Sequence, residues 1–131
     1  MRLLTKKDRA FWVEIEDAEV LIKPLTAAEV ERIRRKHTKI SFVRGERVEE
    51  TDWGKVTQDM FCACVRDWKG ICDEEGNPIA CTEENKRLVA ELNTGFAGEV
   101  IQRATALEQY LNSEEIKNLS GGQGGTSTPA Q

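Results

Sequence analysis

Trp53-Gly54-Lys55-Val56-Thr57-Gln58-Asp59-Met60-Phe61-Cys62-Ala63-Cys64-Val65-Arg66-Asp67-Trp68 is the stretch on which the fold turns. Its apolar residues recur at helical spacing. Trp53, Val56, Met60, Cys64 and Trp68 make one stripe, widened by Thr57, Phe61 and Val65, while Lys55, Gln58, Asp59, Arg66 and Asp67 lie opposite. A face this wide predicts a core helix over 53–68, capped by Thr51 or Asp52, packed on several elements and holding both terminal tryptophans in the core. Downstream, Asp73-Glu74-Glu75-Gly76 suits a tight turn closed by a left-handed glycine. Pro78 starts a returning strand, a place where its missing N–H is tolerated, so 70–80 reads as a small hairpin connector. Thr82 is then the N-cap of a further helix, with Glu83 and Glu84 at the positive end of its dipole. Leu88, Val89 and Leu92 form that helix's apolar stripe, and Asn93 suits its end.

Upstream, Phe11, Val13 and Ile15 alternate with Trp12, Glu14 and Glu16, and Glu19-Val20-Leu21-Ile22-Lys23 returns after a turn at Asp17-Ala18. This is the pattern of a hairpin with one buried face, and Trp12 on its polar face is expected to be partly covered by a neighbouring element. A lone hairpin is marginal in water, so it must pack on the helices that come after it in the chain. Pro24 ends the second strand. Thr26 with Glu29 makes a capping-box pattern for a helix whose inner face carries Val30, Ile33 and His37. His37 is expected to pack near the helix C-terminus, where a cation is favoured. The outer flank of that helix carries Arg32, Arg34, Arg35 and Lys36, followed by Lys39. Residues 40–50 read as a loop or a weak second hairpin around Gly45. Thr94 opens a last long helix with Phe96, Val100, Ile101, Ala104, Leu107 and Leu111 on one side. The fold class that emerges is α+β: an N-terminal β-hairpin packed on a predominantly helical domain of about four helices. The globular domain is expected over 1–119, and the Gly/Ser/Thr-rich 120–131 as a flexible tail.

Bulk properties narrow the classes. The chain has 131 residues, 39% hydrophobic and 32% charged, the size and balance of one globular domain. No run approaches the ~18 apolar residues of a membrane span, and charge enters too early at the N-terminus for a signal-peptide core. A cytoplasmic setting is therefore expected, with Cys62, Cys64, Cys72 and Cys81 as free structural thiols rather than disulfides or zinc ligands. Charge is uneven: residues 1–47 carry a net +4 and residues 48–131 a net −8. Such asymmetry raises nucleic-acid binding or self-association between unlike faces. The overall net charge of −4, and the absence of interleaved aromatics or base-reading Asn and Gln beside the basic cluster, weaken the nucleic-acid option.

No pattern supports catalysis. Leu119-Ser120-Gly121-Gly122-Gln123 matches the LSGGQ signature of ABC-type ATPases. However, no GxxxxGK(S/T) loop accompanies it to cradle the other phosphates, and the residues after it cannot open a helix. A single histidine and no G-x-S-x-G leave little for a hydrolase. The alternation Asp73, Glu75, Asn77 starts like a calcium loop, but Pro78 stands where the sharp turn needs glycine. No metal or cofactor is expected.

The run Val65 to Asn85 resembles the signature of tail assembly chaperones from long-tailed bacteriophages or prophages. Trp68-Lys69-Gly70 matches its Trp-x-Gly step, Asp73 to Pro78 its Asp-x-x-Gly-x-Pro turn, and Thr82 to Asn85 its Thr-x-Glu-Asn helix start. Pro24-Leu25-Thr26 before a helix is also similar, and together these cover roughly residues 10–110. Cys81 departs from the pattern, which often has an apolar aromatic before the cap. The resemblance implies a non-enzymatic protein of the host bacterial cytoplasm that binds the tape measure protein and keeps it soluble. It would yield to the tail tube protein as the tube polymerises, and be absent from the mature virion. A long apolar helix needs coverage by apolar strips held on soluble helices. The candidate partner-binding residues are therefore Phe96, Val100, Ile101, Leu107 and Leu111 on the last helix, with Arg32, Arg35 and Lys36 as a charged flank. Alternatives are a phage structural or connector subunit, or a small nucleic-acid-binding module using the 32–39 cluster.

Overall fold

The structure, a computed structural model, describes residues 9–119, with side-chain surroundings described as far as Leu107. Strands β1 (Phe11–Ile15) and β2 (Ala18–Ile22) form the expected antiparallel hairpin, Phe11 opposite Ile22 and Ile15 opposite Ala18. The turn falls at Glu16-Asp17, one residue before the expected position, and Ala18 is already paired. Helix α1 (Ala27–Lys36) starts with a complete capping box: Thr26 Oγ1 accepts from the Glu29 N–H at 3.2 Å, and Glu29 accepts from the Thr26 N–H at 3.0 Å. Glu29 also pairs at 2.9 Å with the buried Lys23 ammonium. Thus the residue that leaves β2 is neutralised by the cap of α1.

Residues 38–51 form a well-defined second hairpin, β3 (Thr38–Val43) and β4 (Glu46–Thr51), in full antiparallel register. Arg44 and Gly45 both take positive φ, 56° and 80°, the mark of a type I′ two-residue loop whose twist matches that of the strands. The two strands make their own sheet, separate from the β1-β2 sheet. At its base the His37 carbonyl accepts from the Asp52 N–H at 2.9 Å, and the Thr38 and Thr51 hydroxyls meet at 2.8 Å.

The helix predicted over 53–68 is shorter. Helix α2 (Trp53–Cys64) is capped by Asp52, which accepts from the Lys55 N–H, and Val65–Lys69 is strand β5, antiparallel to β2. The resulting sheet has the order β1-β2-β5. The reason for the switch lies outside the local sequence: β2 offers an edge of unsatisfied backbone groups, and a chain leaving α2 beside it can pair them. Val65 and Trp68 are buried either way, because the ladder carries an irregularity at Leu21/Ile22 that breaks strict alternation.

Helices α3 (Glu83–Leu92) and α4 (Thr94–Leu119) complete the domain. Thr82 caps α3 as expected, its hydroxyl accepting from the Asn85 N–H at 3.1 Å. The core gathers Ile15, Val20 and Ile22 from the sheet, Phe61 and Cys64 from α2, Val65 and Trp68 from β5, Val89 and Ala90 from α3, and Ala97, Val100, Ala104 and Leu107 from α4. Phe61 sits at its centre, with ring centroids 6.5 Å from Trp68 and 6.2 Å from Phe96, in the tilted arrangement aromatic pairs prefer.

The expectation that both tryptophans of 53–68 lie in the core fails for one of them. Trp68 is buried, but Trp53, in the first turn beyond the reach of the other helices, is 61% exposed. The stripe assigned to α3 is also corrected. Val89 and Ala90 face inward while Leu88 is exposed, and Leu92 is 70% exposed.

Candidate partner-binding surfaces

The signature segment is structural chemistry. Trp68 Nε1 donates to the Ile79 carbonyl at 2.7 Å, tying the connector to the sheet. Gly70 has φ +82°, and a Cβ there would stand 3.1 Å from the Asp17 carbonyl oxygen. The Trp-x-Gly step therefore packs a core ring and lets the chain pass against the β1-β2 turn. Asp73 Oδ1 accepts from the N–H groups of Glu75 and Asn77 at 3.0 and 2.9 Å, and Gly76 has φ +87°. The connector closes with a single bridge between Cys72 and Pro78.

The α4 stripe expected to bind a partner is placed mostly inward. Val100 and Leu107 are core residues, and Phe96 and Ile101 are half-buried against the core. Their apolar area is occupied by intramolecular packing, the use that a helical stripe most often serves. Leu111 lies in α4, beyond the described side chains. The LSGGQ stretch from Ser120, like the expected tail over 120–131, lies outside the described residues.

The basic flank of α1 is largely met by the domain's own acids. Glu31 accepts from Arg34 at 2.6 and 3.1 Å and from Arg35 at 3.2 Å, and these guanidinium hydrogen bonds hold its carboxyl down at about 2. Lys36 pairs with Asp59 at 3.4 Å. Arg32 is exposed, with no ion pair among the described residues. Internal pairing of this kind dilutes the positive field that a phosphate backbone would seek.

Helical periodicity puts Asp59 on a solvent face, and the structure corrects this. Its carboxylate is 12% exposed and joins three helices: Oδ2 meets His37 Nε2 at 2.7 Å and Lys36 at 3.4 Å, and Oδ1 accepts from Arg87 at 3.0 Å. Burial pushes this carboxyl up, but the His37 and Arg87 hydrogen bonds and the Lys36 charge outweigh it, and the group sits below the usual range. Local periodicity carries no signal for such a hub, because its partners lie on α1 and α3. His37 ends α1 as its C-cap, consistent with the expected place for it.

The exposed apolar side chains lie elsewhere. Ile40, Phe42 and Val43 stand on β3, with Phe42 69% exposed, and Trp53, Leu88 and Leu92 lie on α2 and α3. Trp12 is partly covered by the Lys69 ammonium, 4.5 Å above its ring. With Val13, Arg103, Ala106 and Leu107 it lines a shallow groove of about 380 Å³ between β1 and α4. The four thiols are free. Burial pushes Cys62 up to about 11 and Cys64 up to about 12, so neither is a thiolate nucleophile at neutral pH. Among the described residues no three His, Cys, Asp or Glu side chains converge as metal ligands do, and no helix is long and apolar enough to cross a membrane.

These features define a small α+β domain that displays apolar side chains outside a complete core. The chain belongs to the family of phage XkdN-like tail assembly chaperone proteins, whose family model matches residues 5–121. No curated relative and no solved structure matches it. The family assigns the protein to phage tail assembly in the host cell.

Proposed function

We propose that this tail assembly chaperone binds the tape measure protein and keeps it soluble until the tail tube protein displaces it, without catalysing a reaction and without entering the finished virion. The observation that carries the reading, beside the family, is the set of exposed apolar side chains on a net acidic domain. A long helical protein with apolar faces needs cover of this kind, and charge around each patch keeps the complex in solution. Leu88 and Leu92, one helical turn apart on the outer face of α3, present the two-point anchor a partner helix uses. Phe96 and Ile101 have exposed remnants that can extend such a contact, and Arg32, Arg35 and Lys36 offer a charged rim.

The test is co-expression with the tape measure protein, scoring its soluble fraction and its co-purification with the chain. Rescue that is lost in the Leu88→Glu/Leu92→Glu double variant supports the reading. Absence of both rescue and complex with the unaltered chain sinks it. Detection of the protein in purified virions would favour a structural subunit instead.

A further inference from the structure

We infer that β3 is a docking edge for a second copy of this chain, joining two β3-β4 ribbons into one four-stranded antiparallel sheet about a two-fold axis at Ser41. The two-residue loop Arg44-Gly45 makes Val43 and Glu46 a hydrogen-bonded pair. In an antiparallel ladder such pairs alternate, so Ser41–Val48 and Lys39–Glu50 are also bonded across the ribbon. The N–H and C=O groups of Ile40 and Phe42 therefore point outward along the free edge of β3, and those of Arg47 and Glu49 along the free edge of β4.

The two edges differ in charge. β4 carries Glu46, Glu49 and Glu50 against one arginine, whereas β3 carries Lys39 and no acid. Glutamates along an edge oppose pairing with an identical edge; β3 carries one charge, Lys39, near its start. With the axis at Ser41, Ile40 faces Phe42 of the second copy and Phe42 faces its Ile40, both through outward backbone groups. Lys39 then faces Val43, so no like charges are opposed. Ile40 and Phe42 lie on the same face of their strand, so the joined sheet gathers four apolar side chains where each ribbon alone exposes two. This accounts for Phe42 standing 69% exposed on a strand that, among the described residues, pairs only with β4. A two-stranded ribbon is marginal alone and gains independent stability as part of a wider sheet.

The experiment uses the purified full chain alone, so its outcome is separate from that of tape measure binding. The mass by light scattering is expected to rise to that of a dimer with concentration, and Ser41→Lys, which sets two ammonium groups across the axis, is expected to abolish that rise. In a non-bonded antiparallel pair the Cα atoms stand about 4.5 Å apart, inside the range a disulfide spans. Ser41→Cys in a Cys72→Ser background is thus expected to give a disulfide-linked dimer under mild oxidation, while Glu50→Cys on the opposite edge and Lys39→Cys, out of register, are not. Far-UV circular dichroism checks that each variant is folded; since the ribbon stands apart from the core, its substitutions are expected to leave the domain's melting unchanged. A chain that stays monomeric at all concentrations, oligomers larger than two, or cross-linking equal for Ser41→Cys and Glu50→Cys would overturn the inference.

Discussion

The Lys86 ammonium donates to the Val65 carbonyl oxygen at 2.9 Å and to the Cys62 carbonyl at 3.3 Å, so a side chain of α3 closes the C-terminal end of α2. The Cys64 carbonyl is taken by the Lys23 N–H at 2.7 Å, and the Phe61 carbonyl by the Val65 N–H. The Phe61, Cys62 and Cys64 carbonyls, acceptors of a kind that a helix end leaves unmet, are thereby satisfied from three directions. Lys86→Met retains the stem and removes the donor. It is expected to lower the unfolding free energy by about 1–3 kcal/mol, the cost of stranding buried acceptors, measured by urea denaturation; an unchanged midpoint would show that these carbonyls reach water.

Acid should act through two carboxylates. Burial raises Glu29, but the Thr26 N–H and the Lys23 ammonium outweigh it and hold the group below its ordinary value, as His37, Arg87 and Lys36 do for Asp59. A group depressed in the folded state contributes stability above its unfolded value, near 4, and loses it as pH falls through the folded value. Denaturant midpoints are therefore expected to drop below about pH 4. Asp59→Asn should cost about 1–3 kcal/mol at pH 7 and make the acid slope shallower. An acid slope identical to that of the unaltered chain would remove Asp59 as a contributor.

Two glycines with left-handed backbone allow a comparison. At Gly76 a methyl group meets nothing within 4 Å, whereas at Gly70 it meets the Asp17 carbonyl at 3.1 Å and the Ala18 Cα at 3.5 Å. Gly76→Ala should cost about 1–2 kcal/mol, the backbone penalty alone. Gly70→Ala should cost measurably more, because the β1-β2 turn must also shift. Thermal unfolding of the pair decides it; equal losses would mean that the turn yields freely.

Thiol reactivity should follow burial. Cys72 is exposed, while Cys62 and Cys64 are pushed up to about 11 and 12. Iodoacetamide at neutral pH is expected to label Cys72 first and Cys64 only on unfolding, as read by peptide mass spectrometry. Early labelling of Cys64 would contradict its place in the core.

Much of the fold is legible where the determinants are local. The capping box at Thr26 and Glu29, the cap at Thr82 and the alternation of Phe11, Val13 and Ile15 each depend on neighbours within a few residues. The conversion of Val65–Lys69 to strand does not, since Val65 and Trp68 sit at a spacing that a helix and a bulged strand both bury. The surface is less legible still. Val100 and Leu107 look like a docking stripe until the sheet is seen beneath them, and Leu88 looks like core until Val89 and Ala90 are seen to face inward. Asp59 reads as a solvated residue because His37 and Arg87 stand 22 and 28 positions away.

No loop separates Cys64 from Val65. The last turn of α2 passes straight into a strand whose backbone is fastened to β2, and β2 is fastened to β1. Any tilt imposed on α2 by a partner gripping Trp53 must therefore be passed to the whole sheet as torque, there being no slack in the chain to absorb it. Such a rigid coupling makes the helix a handle: force applied at one end of the domain is felt at the other.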